Sequence, residues 1–212
     1  MQGLYLVTDR DICGDKPLEE VVLQAVRGGA AGVQLREKNV STRFFIHEAA
    51  RIKSRLAPFH VPLIINDRVD VALAVGADGV HVGQDDMPYA VARQLMGPKA
   101  IIGLSVETWE DVEKAQVLDV DYLGVSPVFE TPTKTDTKGN WGLQGLSRIK
   151  AWSRHPLVGI GGLNRSNAAE VILAGADSVA VVSAICAATN PCRAAQELST
   201  IIQLALARRS QL

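Results

Sequence analysis

The chain has 212 residues, with 22 Lys and Arg against 23 Asp and Glu and four His, for a formal net charge of −1. That balance offers no electrostatic footprint for nucleic acid or an anionic membrane, and an apolar content of 47% argues against disorder. A chain this long can bury roughly 70% of its unfolded surface, so one domain spanning residues 1–212 is expected.

The opening residues, Met1 to Arg10, lack a basic region and carry an apolar stretch too short for a signal peptide. No run of about 20 apolar residues occurs, so no membrane span is expected. Cys13, Cys186 and Cys192 form no CxxC pair and are odd in number. That usage suits a reducing cytoplasm and gives neither a disulfide framework nor a zinc site.

Eight β-rich runs follow one another, each succeeded by a longer helical pattern. The first is 4–8, followed by an amphipathic stretch at 18–27. In the second, 32–36, Val33 and Leu35 alternate with Gln34, Arg36 and Lys38, so period two carries the polar three along one side. A helical stretch at 42–56 leads to the third run, 62–66, which ends in Asn66-Asp67-Arg68. The fourth, 79–82, holds His81 between Val80 and Val82 and ends in Gly83-Gln84-Asp85-Asp86. The fifth and sixth are 100–106 and 122–125; the longest connection follows, from Pro127 to Gly142, rich in Thr and Lys. The seventh, 157–160, ends at Gly161-Gly162, and the eighth, 178–182, at Val182-Ser183. The apolar stretch 179–188 reads as a buried strand running into a turn.

Eight strands at about 26 residues per strand–helix unit sit near the lower limit for an α/β, TIM-type (β/α)8 barrel. A weak internal repeat agrees: 71–82 resembles 171–181, and 28–35 is a looser third copy. Each is a helix end, a Gly-containing turn and a buried strand. Asp78 and Asp177 then fall on the lower face, where they serve stability. A doubly wound open sheet is the competing topology, but 159–164 lacks the third glycine of a dinucleotide fingerprint.

In a closed barrel, chemistry gathers at the carboxyl ends of the strands. An isolated Arg36-Glu37-Lys38 would be an ordinary solvated turn, but cations brought in by a buried strand need anions. Strands three and four deliver Asp67 and Asp86 to one rim, where paired carboxylates call for a proton or a cation. Hard oxygens without His or Cys select Mg²⁺ shared with a phosphate, although helix capping is the plain alternative for either Asp. The Pro127–Gly142 connection is either a flexible polar turn or an anion-binding lid. Its length favours function. Glycines at the seventh strand end and the turn at the eighth match the phosphate site of such barrels. His81 reads more simply as a hydrogen-bonded core histidine than as a catalyst, and is left as a substrate contact at most.

Eight segments in order carry a resemblance: Tyr5-Leu-Val-Thr-Asp, Gln34-Leu-Arg-Glu-Lys, Asn66-Asp67, Gly83-Gln-Asp-Asp, Gly103-Leu-Ser, Thr131-Pro-Thr-Lys, Gly159-Ile-Gly-Gly and Val181-Val-Ser-Ala-Ile. Together they resemble the thiamine-phosphate synthase (thiamine-phosphate pyrophosphorylase) family over the whole chain. The resemblance implies a cytoplasmic transferase of thiamine biosynthesis. It would join hydroxymethylpyrimidine pyrophosphate to hydroxyethylthiazole phosphate, yielding thiamine monophosphate and pyrophosphate.

By that match Gln34, Leu35, Arg36, Glu37, Lys38, Asn66, Ser105 and Lys134 would contact the pyrimidine pyrophosphate. Arg36, Lys38, Lys134 and Ser105 would carry catalysis, and Asp67 and Asp86 would hold Mg²⁺. Thr131, Pro132, Thr133, Gly162, Val182 and Ser183 would hold the thiazole phosphate. The implied partners are phosphorylated small molecules, without nucleic acid or membrane; a homo-oligomer stays open. The aminopyrimidine can delocalise positive charge onto its exocyclic carbon, so a dissociative path without a strong base is expected. Two other readings stand beside this one. One is a thiazole tautomerase of the same fold, which would not need the Asn66-Asp67, paired-Asp and Lys134 set. The other is a non-catalytic phosphate-ligand barrel, which would not need to activate a leaving group.

Overall fold

The structure is a computed structural model that describes residues 2–131 and 139–211. Its eight apolar runs pair in parallel and in chain order, each with the next, and the eighth closes on the first. The strands are β1 (Gly3–Val7), β2 (Ala30–Leu35), β3 (Leu63–Asn66), β4 (Gly79–Val82), β5 (Ile101–Val106), β6 (Tyr122–Val125), β7 (Leu157–Gly159) and β8 (Ser178–Val181). Around them lie α1 (Arg10–Cys13), α2 (Leu18–Arg27), α3 (Thr42–Leu56), α4 (Val69–Val75), α5 (Tyr89–Met96), α6 (Trp109–Ala115), α7 (Gly142–Trp152), α8 (Ala168–Leu173), α9 (Ser183–Cys186) and α10 (Pro191–Arg209). The expected closed barrel is therefore the fold. Among the described residues, no helix is long and apolar enough to cross a membrane.

Strand alternation divides the core in two. Leu4, Leu6, Val33, Leu35, Val80 and Val82 point outward into a large apolar layer beneath the helices. Tyr5, Val7, Ile64, Tyr122, Val158 and Ala180 point inward and fill the lumen. Side-chain caps set the helix entries: Ser41 Oγ accepts from the Phe44 N–H at 3.2 Å, and Thr108 with Asp111 forms a reciprocal capping box.

The lower face is clipped by three aspartates in the same way. Asp78 accepts the Leu63 N–H at 2.8 Å, Asp121 the Ile102 N–H at 2.8 Å, and Asp177 the Leu157 N–H at 2.9 Å. In each case the aspartate's own N–H returns to the carbonyl of the same strand residue. The stabilising role expected of Asp78 and Asp177 is what these bonds do. Asp121 was hidden because its turn lacks the Gly-Ala of the repeat. The stretch after β8 also differs from expectation: the turn is a short helix, α9, because the Ile185 and Cys186 N–H groups fold back onto the Val182 carbonyl.

Burial acts to raise the Asp177 carboxyl, yet the Leu157 N–H, Lys150 and Arg209 outweigh it and hold the group below the usual carboxylate range. Its contribution is therefore present above the unfolded-state value and lost as pH falls through the lowered one. Asp177→Asn is expected to cost roughly 1–3 kcal/mol at neutral pH, the usual loss for breaking charged hydrogen bonds. Urea titrations should show that gap closing as pH drops below about 4; a gap independent of pH would assign it to packing.

Candidate functional site

The barrel mouth opens into a cavity of about 600 Å³. Of the residues singled out from sequence, Gln34, Arg36, Lys38, Asn66, Asp67, Asp86, Ser105, Thr131, Gly162, Val182 and Ser183 all line it. Leu35 and Glu37 do not. Leu35 is buried in the outer apolar layer, and the Glu37 carboxylate is clamped by Arg10 Nη2 at 2.7 Å, away from the mouth. Pro132, Thr133 and Lys134 lie outside the described residues.

The polar alternation of strand two does not continue as strand. β2 ends at Leu35 because the Arg36 N–H turns to the Thr8 hydroxyl at 3.0 Å, and Thr8 is fully buried at the end of β1. The Arg36 guanidinium then reaches Asp9 at 3.3 Å, and Lys38 Nζ reaches Asp67 Oδ2 at 2.7 Å. Both cations sit over the cavity with carboxylates as partners. Half of the Lys38 side chain is exposed, so its head can move to an incoming anion while its stem stays on the rim.

Asp67 occupies the left-handed region, with φ 62°, a conformation that Asp and Asn tolerate best after glycine. Its N–H is pinned by the His81 carbonyl at 2.8 Å. The bend turns the chain out of β3 and presents Asp67 to the mouth. Asp86 comes from the turn after β4, where its Oδ2 accepts the Gly83 N–H at 2.8 Å. Burial, together with a hydrogen bond to the Asp67 carboxyl, pushes Asp86 above the usual carboxylate range. The two groups thus meet as the sequence implied, and their mutual repulsion is what a shared cation would relieve. Among the described residues no group of three or more His, Cys, Asp or Glu is arranged for a metal. Two carboxylates fit Mg²⁺, which retains waters and takes phosphate oxygens to complete its shell.

The cavity floor is a polar chain in which sequence singled out Gln34, His81 and Ser105 but not Tyr5 and Tyr122, and His81 is the buried, hydrogen-bonded histidine that was expected. Gln34 Nε2 donates to Tyr5 Oη at 3.2 Å, and Tyr5 Oη lies 3.1 Å from Tyr122 Oη. Tyr122 Oη is 3.0 Å from His81 Nδ1, and His81 Nε2 is 2.8 Å from Ser105 Oγ. Burial drives the Tyr5 phenol up to about 12 and Tyr122 well above its ordinary value, so both stay protonated. Two strand-interior glycines make room for this chain: a Cβ on Gly103 would strike the Tyr122 ring, and one on Gly124 would lie 2.8 Å from His81 Cε1. Such glycines signal close approach and were the available clue.

The opposite wall is the turn after β7 and the start of α9. Gly161 and Gly162 have φ of 100° and 66°. Cβ atoms there would lie 2.5 Å from Pro127 Cβ and 2.7 Å from the Glu130 carbonyl oxygen. Packing against the segment after β6 therefore explains the glycines by itself, and their bare backbone also faces the cavity.

The family model for thiamine monophosphate synthase matches residues 4–185. A thiamine-phosphate synthase of Albidiferax ferrireducens is 57% identical over 94% of this chain and 91% of its own. One of Vibrio parahaemolyticus is 50% identical over 94% of this chain and 97% of its own. A solved thiamine phosphate pyrophosphorylase from Pyrococcus furiosus superposes with a TM-score of 0.88 at 39% identity, covering 97% of each chain. A 3-hexulose-6-phosphate synthase, at 18% identity and a TM-score of 0.68, shares the fold alone.

Proposed function

Because the chain belongs to the thiamine monophosphate synthase family, and is a transferase that forms thiamine phosphate, we propose how its mouth divides between two phosphorylated substrates. The half built from β2 to β5, completed by Lys134 of the connection after β6, takes 4-amino-2-methyl-5-hydroxymethylpyrimidine pyrophosphate. The half built from the β6 to β8 ends takes 4-methyl-5-(2-hydroxyethyl)thiazole phosphate. The observation that carries this reading is the segregation of charge among the described residues: Arg36, Lys38, Asp67 and Asp86 all lie on the first side, and backbone with the neutral Ser126, Thr131, Asn164 and Ser183 lies on the second.

The bond between the pyrimidine methylene carbon and the pyrophosphate oxygen breaks, and its electron pair leaves with the pyrophosphate. The thiazole nitrogen then supplies its lone pair to the methylene. No proton need move. This suits a floor on which both His81 nitrogens already have hydrogen-bond partners. Arg36, Lys38 and Lys134 stabilise the charge that develops on the leaving group, and Gln34, Asn66 and Ser105 orient the ring. Asp67 and Asp86 would hold Mg²⁺, which when bound neutralises pyrophosphate oxygens. Thr131, Pro132, Thr133, Gly162, Val182 and Ser183 hold the thiazole phosphate, which gains no charge in the reaction.

Two variants test the division. Lys134→Ala should lower the chemical rate by about 10²–10³, the usual loss of one preorganised charge-stabilising donor. Ser183→Ala should mainly raise the apparent KM for the thiazole phosphate. Formation of thiamine phosphate with each substrate varied in turn separates the two, and the reverse pattern would exchange the sites.

A further inference from the structure

The chain of hydrogen bonds under the cavity can run in one of two directions, and the His81 tautomer distinguishes them. An amide nitrogen only donates, so the Tyr5 hydroxyl accepts from Gln34 Nε2. A relay running outward then sends the Tyr5 proton to Tyr122 Oη, 3.1 Å away. In that relay Tyr122, having accepted, uses its own proton on His81 Nδ1 at 3.0 Å. A neutral imidazole that accepts at Nδ1 carries its hydrogen on Nε2, and Nε2–H donates to Ser105 Oγ at 2.8 Å. The Ser105 hydroxyl, already an acceptor, then has its own proton to turn into the cavity that it lines.

We propose that His81 is a positioning residue, held in the Nε2–H tautomer by Tyr122, Tyr5 and Gln34, and that it makes Ser105 a hydrogen-bond donor to the substrate. The ligand atom that takes the Ser105 proton is therefore an acceptor, a ring nitrogen or a phosphate oxygen. The relay orients the aminopyrimidine. This rests on the reading that the β2–β5 side takes the pyrimidine pyrophosphate.

The tautomer is read on the ligand-free protein, independently of that reading. With ¹⁵N-labelled histidine, long-range proton–nitrogen correlations should show His81 protonated at Nε2 and bare at Nδ1; His81→Gln identifies its signals among the four His. Finding Nδ1–H in the wild type would reverse the relay and overturn the proposal. Tyr122→Phe should populate the other tautomer. It should also weaken pyrimidine pyrophosphate binding, measured by calorimetry without thiazole phosphate, by about five- to tenfold, one hydrogen bond's worth. In a Ser105→Ala background the same substitution should cost nothing further, because it acts through Ser105. Equal losses in both backgrounds would make Tyr122 merely structural. His81→Gln, whose Nε2 can still donate to Ser105, should bind within about threefold of wild type, and His81→Leu should match Tyr122→Phe. Wild-type protein that failed to bind the pyrimidine pyrophosphate would sink the assignment of substrates, while the tautomer would still decide the relay.

Discussion

With trifluoromethyl in place of the pyrimidine methyl group, the chemical step is expected to slow by about a thousandfold or more. If pyrophosphate departs before the thiazole nitrogen attacks, the methylene carbon carries most of a positive charge at the transition state. An electron-withdrawing group that destabilises this cation by about 4 kcal/mol costs about three powers of ten. The cavity floor holds two protonated phenols and a histidine with both nitrogens engaged. None of these can offset the lost stabilisation by taking a proton. A concerted displacement would respond weakly, because incoming nitrogen electrons would compensate the carbon. Single-turnover kinetics at saturating thiazole phosphate, with binding of each pyrimidine measured separately, distinguishes the two. A change below about tenfold, with chemistry limiting, would rule out the cationic path.

Asp67→Asn and Asp86→Asn are each expected to lower turnover by about 10²–10³, the scale of removing one charge-stabilising group, and chelation should do the same to the wild type. The two should part company in stability. Asp86 is raised by burial and by Asp67, so the folded protein binds that proton more tightly than the unfolded chain does. Folding is then destabilised as pH rises from the unfolded value through the raised one. Asp86→Asn should accordingly raise the Tm of chelator-treated protein at pH 8, a gain that vanishes below about pH 4. Asp67→Asn removes one cause of the raised Asp86 but also the partner of Lys38, and its isosteric amide tolerates the same left-handed backbone, so a smaller gain is expected. Added Mg²⁺ should raise the Tm of wild type alone. Full activity of both variants with chelator present would remove the metal.

The barrel was legible because its signal is repetitive: all eight expected runs coincide with strands to within two residues, and the stretches 18–27 and 42–56 are helices from end to end. The rim was legible because charged residues at buried strand ends are conspicuous. What escaped depends on contacts between distant segments. Tyr5 and Tyr122 look like ordinary lumen filling in sequence, and only closure brings their hydroxyls together across 117 positions. Glu37 sits between two rim cations in sequence, but the β2 exit turns it to Arg10 instead. The helical form of 183–186 was hidden because four residues show no periodicity.

The three aspartate clips join β3 to β4, β5 to β6 and β7 to β8. Six strands of the ring are therefore stitched as two-strand modules, with seams between β4 and β5 and between β6 and β7, and with β1 and β2 closing the ring between β8 and β3. Charge and hydrogen-bond capacity for this stitching are spent at the end remote from the cavity, so drift in the upper loops leaves every stitch in place. Recombination that exchanged whole modules between related barrels would carry each clip intact with both of its halves. Crossovers inside a module would separate an aspartate from the strand it holds.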